Sequence, residues 1–347
     1  MYMPEGARLK LDPRDEYTHT PEPVANYNES MYFNAFDTRQ GLGLWVRIGN
    51  RPNQGHAEMT CCVYLPDGRV GFMFARPPIT GNARMAAAGM CFEVIEPFRR
   101  LRVTYEGELL LMDEPRDMAD PSAAFKRHPK RPARIDLEFT GVSPMHGGEI
   151  VDAAGQPIEL DPEHAVYRGH TEQNMAVEGS VIVDGQRHDI VGGTGYRDKS
   201  WGPRNWHSFH WYKWLPVTFG RDFGVLMSIK GRPQGGPHRI SGNVLRDGAY
   251  EPVIDGQIQT DYDEAWYPRG LSARVTTQHG TYYLSARTIA TVPLRHRRAG
   301  AVDGSYTRIT ESMSLYTCEG RTALGMTEYC DVMVAGMPIS ERSGVAA

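Results

Sequence analysis

A glycine preceded by an acidic or polar residue separates two β-rich runs at five places along the chain. Glycine readily adopts the positive φ that tight hairpin turns require, and Asp-Gly between apolar runs is a strong short-range hairpin signal. Because hairpins join antiparallel strands, the sequence predicts an all-β protein built from antiparallel sheet throughout. The five turns are Asp67-Gly68, Asp184-Gly185, Asp247-Gly248, His279-Gly280 and Glu319-Gly320.

Other segments strengthen the all-β prediction. The runs 44–50, 92–112 and 133–144 mix β-branched and aromatic residues with alternating polar ones, as strands do. Helical periodicity is confined to 120–130, a short segment bounded by prolines. The enclosing segment 113–132 has four prolines and many charges, and it is predicted to form a loop or lid over one edge of the first sheet.

The length of the chain predicts two domains, since 347 residues exceed what one hydrophobic core usually serves. An all-antiparallel chain must also protect its strand edges, and closed barrels remove them. We therefore expect two lipocalin-like antiparallel β-barrels packed side by side. The predicted units are a surface-wrapping segment over 1–35, a first barrel over 36–195 and a second barrel over 196–340.

Composition argues against several classes of partner. The chain has 38 basic and 42 acidic residues, so no strong field of one sign is expected to attract nucleic acid. No apolar run approaches the ~20 residues of a membrane span, so stable membrane insertion is not expected. The five cysteines are interpreted as reduced packing residues, and with no secretory-type apolar region near the start we expect a cytoplasmic location. Homo-oligomerisation is left open.

The segment GGTGYRDKSWGPRNW, residues 192–206, concentrates the chemistry of the sequence. It contains a single acid, Asp198, among glycines, aromatic rings and cations. Together with Trp201, Trp206 and Trp211 it predicts an aromatic-walled pocket, and such walls with a few polar groups are typical of small-molecule sites. A carboxyl group buried there would have a raised pKa and could act as an acid or base, although neighbouring cations would oppose that shift.

A second pair of polar residues precedes this segment. His170 and Glu172 lie 14 and 12 residues before Asp184, while Tyr196 and Asp198 lie 11 and 13 residues after Gly185. Because the arms of a hairpin pair in opposite directions, the four side chains should converge on one face, with His170 beside Asp198. The counts differ by one, and we expect a β-bulge at the glycines to absorb the difference.

Structural explanations remain open for the same residues. Asp198 could form an ion pair with Arg197, Lys199 or Arg204, and His170 could be a hydrogen-bonded core residue. Glu328, in a late strand, would need a partner if buried, and either arginine could supply it.

Cofactor motifs are missing from the sequence. His207 and His210 would face opposite sides of a strand, which makes a weak metal site, and the glycine spacings match no nucleotide-binding motif. No metal or other cofactor is expected.

The residues H-x-E-Q at 170–173 and G-Y-R-D-K-S-W-G-P-R-x-W at 195–206 resemble the signature of the carotenoid 1,2-hydratase and AttH-like superfamily. The stretch R-x-G-N-R-P-N-x-G at 47–55 is similar to a bacterial branch of that group. The resemblance implies two lipocalin-like barrels of the calycin type. The superfamily in turn resembles a broader set of proteins that includes cofactor-free pericyclases of the Diels–Alderase type.

The resemblance implies catalytic roles for four residues, His170, Glu172, Tyr196 and Asp198, with the aspartate as acid. Glu172 stands where the hydratases have an aromatic residue, and Lys199 stands where the family often has histidine. The resemblance still implies the shared fold, but these departures argue against a carotenoid substrate.

The sequence and the resemblance together predict a cofactor-independent lyase or isomerase acting on a hydrophobic terpenoid, steroid-like or aromatic molecule. Addition or removal of water, or of another small fragment, is the expected reaction. Alternatives are a carrier without catalysis and a pericyclase that only folds its substrate. The residues expected to contact the substrate are Trp201, Trp206, Trp211, Arg197, Lys199 and Glu328.

Overall fold

The computed structural model describes residues 6–162, 165–205, 210–231, 238–297 and 304–342. Twenty-two strands and a few short helices make up the described chain, and the strands form two antiparallel sheets. The predicted all-β fold of two lipocalin-like barrels is thereby confirmed. None of the helices described is long and apolar enough to cross a membrane.

The strands of the first sheet are β1 (Arg8–Lys10), β2 (Tyr27–Asp37), β3 (Leu42–Arg51), β4 (His56–Tyr64), β5 (Val70–Ala75), β6 (Ala86–Ala87), β7 (Met90–Glu96), β8 (Arg100–Met112), β9 (Lys130–Gly141), β10 (His146–Val151), β11 (Gly169–Val183) and β12 (Gln186–Pro203). Those of the second are β13 (Trp211–Thr218), β14 (Phe223–Gly231), β15 (Arg239–Arg246), β16 (Ala249–Pro252), β17 (Asp255–Tyr262), β18 (Pro268–Thr276), β19 (Thr281–Arg297), β20 (Tyr306–Cys318), β21 (Arg321–Val334) and β22 (Met337–Pro338). The helices are α1 (Pro121–Arg127), α2 (Ile339–Arg342) and 3-10 turns at Pro13–Glu16, Pro52–Gln54 and Pro115–Ala119.

The first sheet contains a closed barrel. Strands β11, β12, β2, β3, β4, β5, β8 and β9 hydrogen bond in that order, and β9 pairs back onto β11. The short strands β10 and β1 extend the sheet from β11, while β7 and β6 extend it from β8. Closure leaves the eight barrel strands without an exposed edge, which is what the edge-protection argument requires.

The second sheet is nearly closed. Its order is β16-β15-β14-β13-β21-β20-β19-β18-β17, with β22 added to β21. Only Val253 and Ile254 separate the two terminal strands in sequence. Their amides donate to the carbonyls of Gly242 and Thr276, which brings the two ends of the sheet together.

All five predicted turns connect paired antiparallel strands, which confirms the hairpin prediction. At Asp184-Gly185 both residues have positive φ, 52° and 78°, as the two-residue turns that suit the right-handed twist of strands require. The His279-Gly280 turn is wider, and there the Thr277 hydroxyl accepts hydrogen bonds from the backbone amides of His279 and Gly280.

The strand limits differ from the predicted unit limits at both ends of the first barrel. β2 and β12 pair from Tyr27 and Pro203 to Phe36 and Thr194. Residues 27–35 therefore lie inside the first barrel rather than in a wrapping segment, and 196–203 belong to the first barrel rather than the second.

Side-chain alternation divides the core into three parts. On β2, Met31, Phe33 and Ala35 point into the first barrel, whereas Tyr32 and Phe36 belong to a layer between the barrels. The second barrel has its own apolar interior. The interiors are filled by side chains, and the layer between the barrels is where the cavity described next lies.

The predicted lid forms two short helices. The 3-10 turn Pro115–Ala119 leads into α1, whose start is capped by the Asp120 side chain accepting from the Ala123 amide at 3.1 Å. Arg116 crosses to the second barrel and donates to Asp263 at 2.6 Å. The lid therefore spans both barrels.

Candidate active site at the barrel junction

A cavity of about 530 Å³ lies between the two barrels. Strands β2–β5 and β10–β12 contribute one wall, strands β13–β15 and β19–β21 contribute the opposite wall, and the lid helices cover one side. Its size is typical of a site for a small organic molecule. The main apolar lining residues are Tyr32, Trp45, Phe72, Phe125, Trp214 and Leu226.

The β11–β12 hairpin brings His170, Glu172 and Asp198 to the cavity. A register shift occurs between Val177 and Gly179, opposite Gly192 with φ 66°, so the expected bulge is present at the glycines. The shift has the opposite sense from the one required for the predicted pairing. Glu172, and not His170, therefore lies directly across from Asp198. The side chains still share one face, because a slip of two residues preserves alternation.

His170 lies between two carboxylates. Its Nε2 is 3.4 Å from Asp198 Oδ2, and its Nδ1 is 3.9 Å from Glu172 Oε2. The Tyr167 ring stacks on the imidazole with centroids 4.9 Å apart, and the Trp214 indole donates to Glu172 Oε1 at 3.1 Å. The side chain of Asp198 is 29% exposed, so it opens toward the cavity rather than being sealed. The arrangement suits an imidazole that exchanges a proton with the cavity.

The opposite wall carries a pair of carboxyl groups. Glu311 and Glu328 are cross-strand neighbours on β20 and β21, and both line the cavity. Burial raises the pKa of Glu311 well above its ordinary value, and the charges of Glu328 and Asp198 raise it further. Burial likewise raises the pKa of Glu328 to about 7, although the Tyr212 hydroxyl, which donates to Glu328 Oε1, works against the shift.

This pair holds a proton near neutral pH. Two carboxylates side by side repel each other, so one of them stays protonated and can act as a donor. Oε2 of Glu311 is buried and has no hydrogen-bond partner among the described residues.

Two of the predicted substrate contacts, Arg197 and Lys199, point into the first barrel instead. Arg197 donates to both carboxylate oxygens of Glu16 at 2.7 and 2.6 Å and to Gln173. Lys199 donates to Glu29 at 2.6 Å. These odd-numbered residues of β12 face the interior because Asp198 faces out, so they complete buried ion pairs and do not reach the cavity.

The predicted aromatic contacts also lie elsewhere. Trp201 stacks on His19 at 4.4 Å inside the first barrel, and Trp211 packs in the interior of the second barrel. Tyr196 is buried against Trp214, 5.7 Å away, and supports the cavity wall without lining it. Trp206, like His207, lies outside the described residues. The indoles that line the cavity are those of Trp45 on β3 and Trp214 on β13.

Glu311 is the main residue that the sequence prediction missed. It lies eight residues before Glu319, just as Glu328 lies eight residues after Gly320. Counting outward from the turn would therefore have paired the two acids. Among the residues that the structure describes, no group of three or more His, Cys, Asp or Glu side chains is arranged to hold a metal ion.

Residues 12–333 match a family model described as Domain of unknown function (DUF7064). No curated protein matches the chain significantly.

Three solved structures share the fold at low sequence identity. An AttH-like protein of Nitrosomonas europaea aligns with TM-score 0.60 and 12% identity, covering 93% of this chain and 97% of its own. Kievitone hydratase from Nectria haematococca aligns with TM-score 0.53 and 9% identity, covering 96% and 98%. CghA in complex with Sch210972 aligns with TM-score 0.50 and 11% identity, covering 94% and 97%.

Proposed function

The chain belongs to the DUF7064 family, and from the geometry of its cavity we propose that it is a lyase that adds water to, or removes it from, a hydrophobic small molecule. The reaction uses acid–base catalysis by the protein's own side chains. A terpenoid, steroid-like or aromatic body suits the ring-lined walls. The name of kievitone hydratase, a protein of the same fold, supports this class of chemistry.

One observation carries the proposal. Two proton-exchanging groups, the Glu311–Glu328 pair and the His170–Asp198 couple, face the same aromatic cavity from different barrels. A reaction that moves a proton onto one atom of a substrate and off another needs an acid and a base on either side of it. A carrier would need the rings but not the two opposed groups.

In the dehydration direction, the Glu311–Glu328 pair donates the proton it holds to a hydroxyl oxygen of the substrate. The carbon–oxygen bond breaks and water leaves. His170, held by Asp198 and Glu172, takes a proton from the adjacent carbon, and the electrons of that bond form the alkene. Proton exchange with solvent then restores both groups.

The aromatic walls stabilise the positive charge that develops on the substrate as the carbon–oxygen bond breaks. Cation–π contact with Tyr32, Trp45 and Trp214 is worth ~2 kcal/mol when water is excluded. Asp198 is a positioning residue in this proposal, because its carboxylate lies 3.4 Å from His170 and orients the imidazole that takes the proton.

The test is isotopic. Panels of hydrophobic tertiary alcohols and alkenes are incubated with the protein in ¹⁸O-labelled water, and incorporation is followed by mass spectrometry. Asp198→Asn, His170→Gln and Glu328→Gln should each lower turnover by about 10²–10⁴-fold, the usual contribution of a positioned acid or base. Asp189→Asn, which changes an exposed acid on the same strand, is the matched control.

The outcomes separate the candidate functions. Binding with neither ¹⁸O in any alcohol product nor alkene formed from any alcohol would indicate a carrier. Turnover that survives all three cavity substitutions would contradict the acid–base proposal and favour a site that only folds its substrate.

A further inference from the structure

Two cations lie side by side on the second-barrel wall of the cavity. Lys230 on β14 and Arg239 on β15 are register partners, and both line the cavity. The next cavity-facing pair in the same two strands is Ser228 and Ser241. This cluster of four residues is called the β14–β15 subsite below.

The cations of the subsite lack counter-ions. In the part of the chain that the structure describes, neither Lys230 nor Arg239 forms a hydrogen bond or an ion pair. Like charges directly opposite each other on adjacent strands are destabilising, so this pairing is by itself unfavourable. Burial lowers the pKa of Lys230, and the charges of Arg239 and Arg204 add to that effect against the attraction of Glu172.

A buried hydroxyl beside the cations is also unsatisfied. Ser228 is only 4% exposed, and its Oγ has no hydrogen-bond partner among the described residues. A buried polar group without a partner is unfavourable, and such groups in native structures need an explanation. Ser228 is the next residue after Leu226 on the cavity-facing side of β14. A ligand whose apolar part packs against Leu226 would therefore place its adjoining polar group beside the Ser228 hydroxyl.

The nearby acids Glu172 and Asp198 attract Lys230, but among the described residues both are bonded to other groups and not to the cations of the subsite. Glu172 accepts from the Trp214 indole, and Asp198 lies 3.4 Å from His170. Glu311 and Glu328, whose pKa values are raised by burial, lie on β20 and β21, with β13 between them and β14. The cavity thus has proton-exchanging acids at one place and cations without counter-ions at another.

We propose that the β14–β15 subsite binds a carboxylate of the substrate, so that the substrate is an amphipathic acid. Its apolar body lies against the aromatic wall and its carboxylate accepts from Arg239, Lys230 and the Ser228 hydroxyl. The planar guanidinium matches the two oxygens of a carboxylate, which is the reason for preferring this anion. The inference rests on the proposed function for the identity of the cavity as the substrate site.

Three pyrene probes of matched shape test the charge preference: 1-pyrenebutyric acid, 1-pyrenebutanol and 1-pyrenebutylamine. Their affinities for the full chain are measured by energy transfer from tryptophan. A charge-assisted hydrogen bond to the acid should make its dissociation constant about 10–100-fold lower than that of the alcohol, and the amine should bind more weakly than either.

Single substitutions locate the preference. Lys230→Met and Arg239→Met should each reduce the acid-over-alcohol preference by about tenfold while leaving the alcohol affinity unchanged. Arg221→Met removes an exposed cation in the β13–β14 turn and should leave all three affinities unchanged. Melting temperatures confirm that each variant is folded, and the wild-type probe comparison needs no variant at all.

The result distinguishes this inference from the proposed function. Equal affinity for acid and alcohol would overturn the subsite and leave the lyase proposal in place. Equal loss of both affinities in the variants would also overturn it, since the cations would then serve only the fold. If no probe binds, the cavity as a ligand site is contradicted, and the proposed function fails with it.

Discussion

Adjacent residues of β12 carry charge into two very different environments. Arg197 and Lys199 point into the first barrel, where Glu16 and Glu29 meet them with hydrogen bonds of 2.6–2.7 Å. Asp198 points the other way, into a cavity where the facing carboxyl groups, Glu311 and Glu328, have no cation bonded to them among the described residues.

The difference shows how the same strand can serve stability and chemistry together. A buried charge with a complete set of partners is locked and has nothing left to offer a ligand. Groups with an incomplete set keep a proton or an empty bonding position available. The interior face therefore holds the fold, and the cavity face is available for a reaction.

The largest expected effect comes from breaking an interior pair. Arg197→Met leaves the Glu16 carboxylate buried without its cation and should lower the free energy of unfolding in urea by about 3–5 kcal/mol. Asp198→Asn, one residue along, should change it by less than about 1 kcal/mol because that side chain is partly exposed. Arg187→Met, in an exposed pair on the same strand, is the control. Comparable losses at 197 and 198 would remove the distinction between the two faces.

The second-largest effect is the loss of folding stability in acid that comes from the buried Glu29–Lys199 pair on the interior face. Burial disfavours ionised Glu29, but Lys199 and His19 outweigh it and hold the pKa at about 2, below the ordinary 4.5. A depressed carboxyl pKa contributes stability above pH 4.5 that is lost as pH falls toward 2, here about 3 kcal/mol. Glu29→Gln should be less stable at neutral pH and show a smaller decline in acid. An unchanged acid slope in chemical denaturation would rule out this pairing as its source.

The cavity face should show the opposite dependence on pH. Because the pKa of Glu328 is raised to about 7, the folded state retains a proton that the unfolded chain has released. Stability from this group is full below pH 4.5 and falls between pH 4.5 and 7, by about 2 kcal/mol once partial exposure is allowed for. Glu328→Gln should reduce that fall while leaving the acid slope of the interior face intact, and the part that remains belongs to Glu311, whose pKa is also raised by burial. Denaturation curves at half-unit pH intervals measure both slopes in one series.

The smallest effect comes from the lid, which spans the two barrels. Arg116 pairs with Asp263 at 2.6 Å but is partly exposed, so Arg116→Ala should lower the free energy of unfolding by only about 0.5–1 kcal/mol. The substitution should weaken binding of 1-pyrenebutanol a few-fold, since Met118 and Phe125 cover the cavity from the same lid. Arg127→Ala, whose partner Asp117 is within the lid, is the control. Equal effects of both substitutions would show that crossing to the second barrel does not matter.

Much of the fold follows from local patterns in the sequence. Turn pairs such as Asp184-Gly185 place strands on either side, and strand alternation puts positions 170, 172 and 198 on one face whatever the sense of the bulge. The prediction of which residues touch was less accurate. His170 is not directly opposite Asp198, because the register beyond a bulge depends on which strand carries the extra residue.

The sequence by itself determined the strands, the hairpins and the alternation of side chains, since these depend on neighbours a few positions apart. Tertiary structure alone decided which face of β12 became the interior. Glu16 lies 181 residues from Arg197 and Glu29 lies 170 residues from Lys199, so only barrel closure brings them together. The same closure turned the opposite face toward Glu311 and Glu328 of a second barrel. Charge neutralisation acts through space over a few ångströms, and no local pattern records which distant acid will lie within that range.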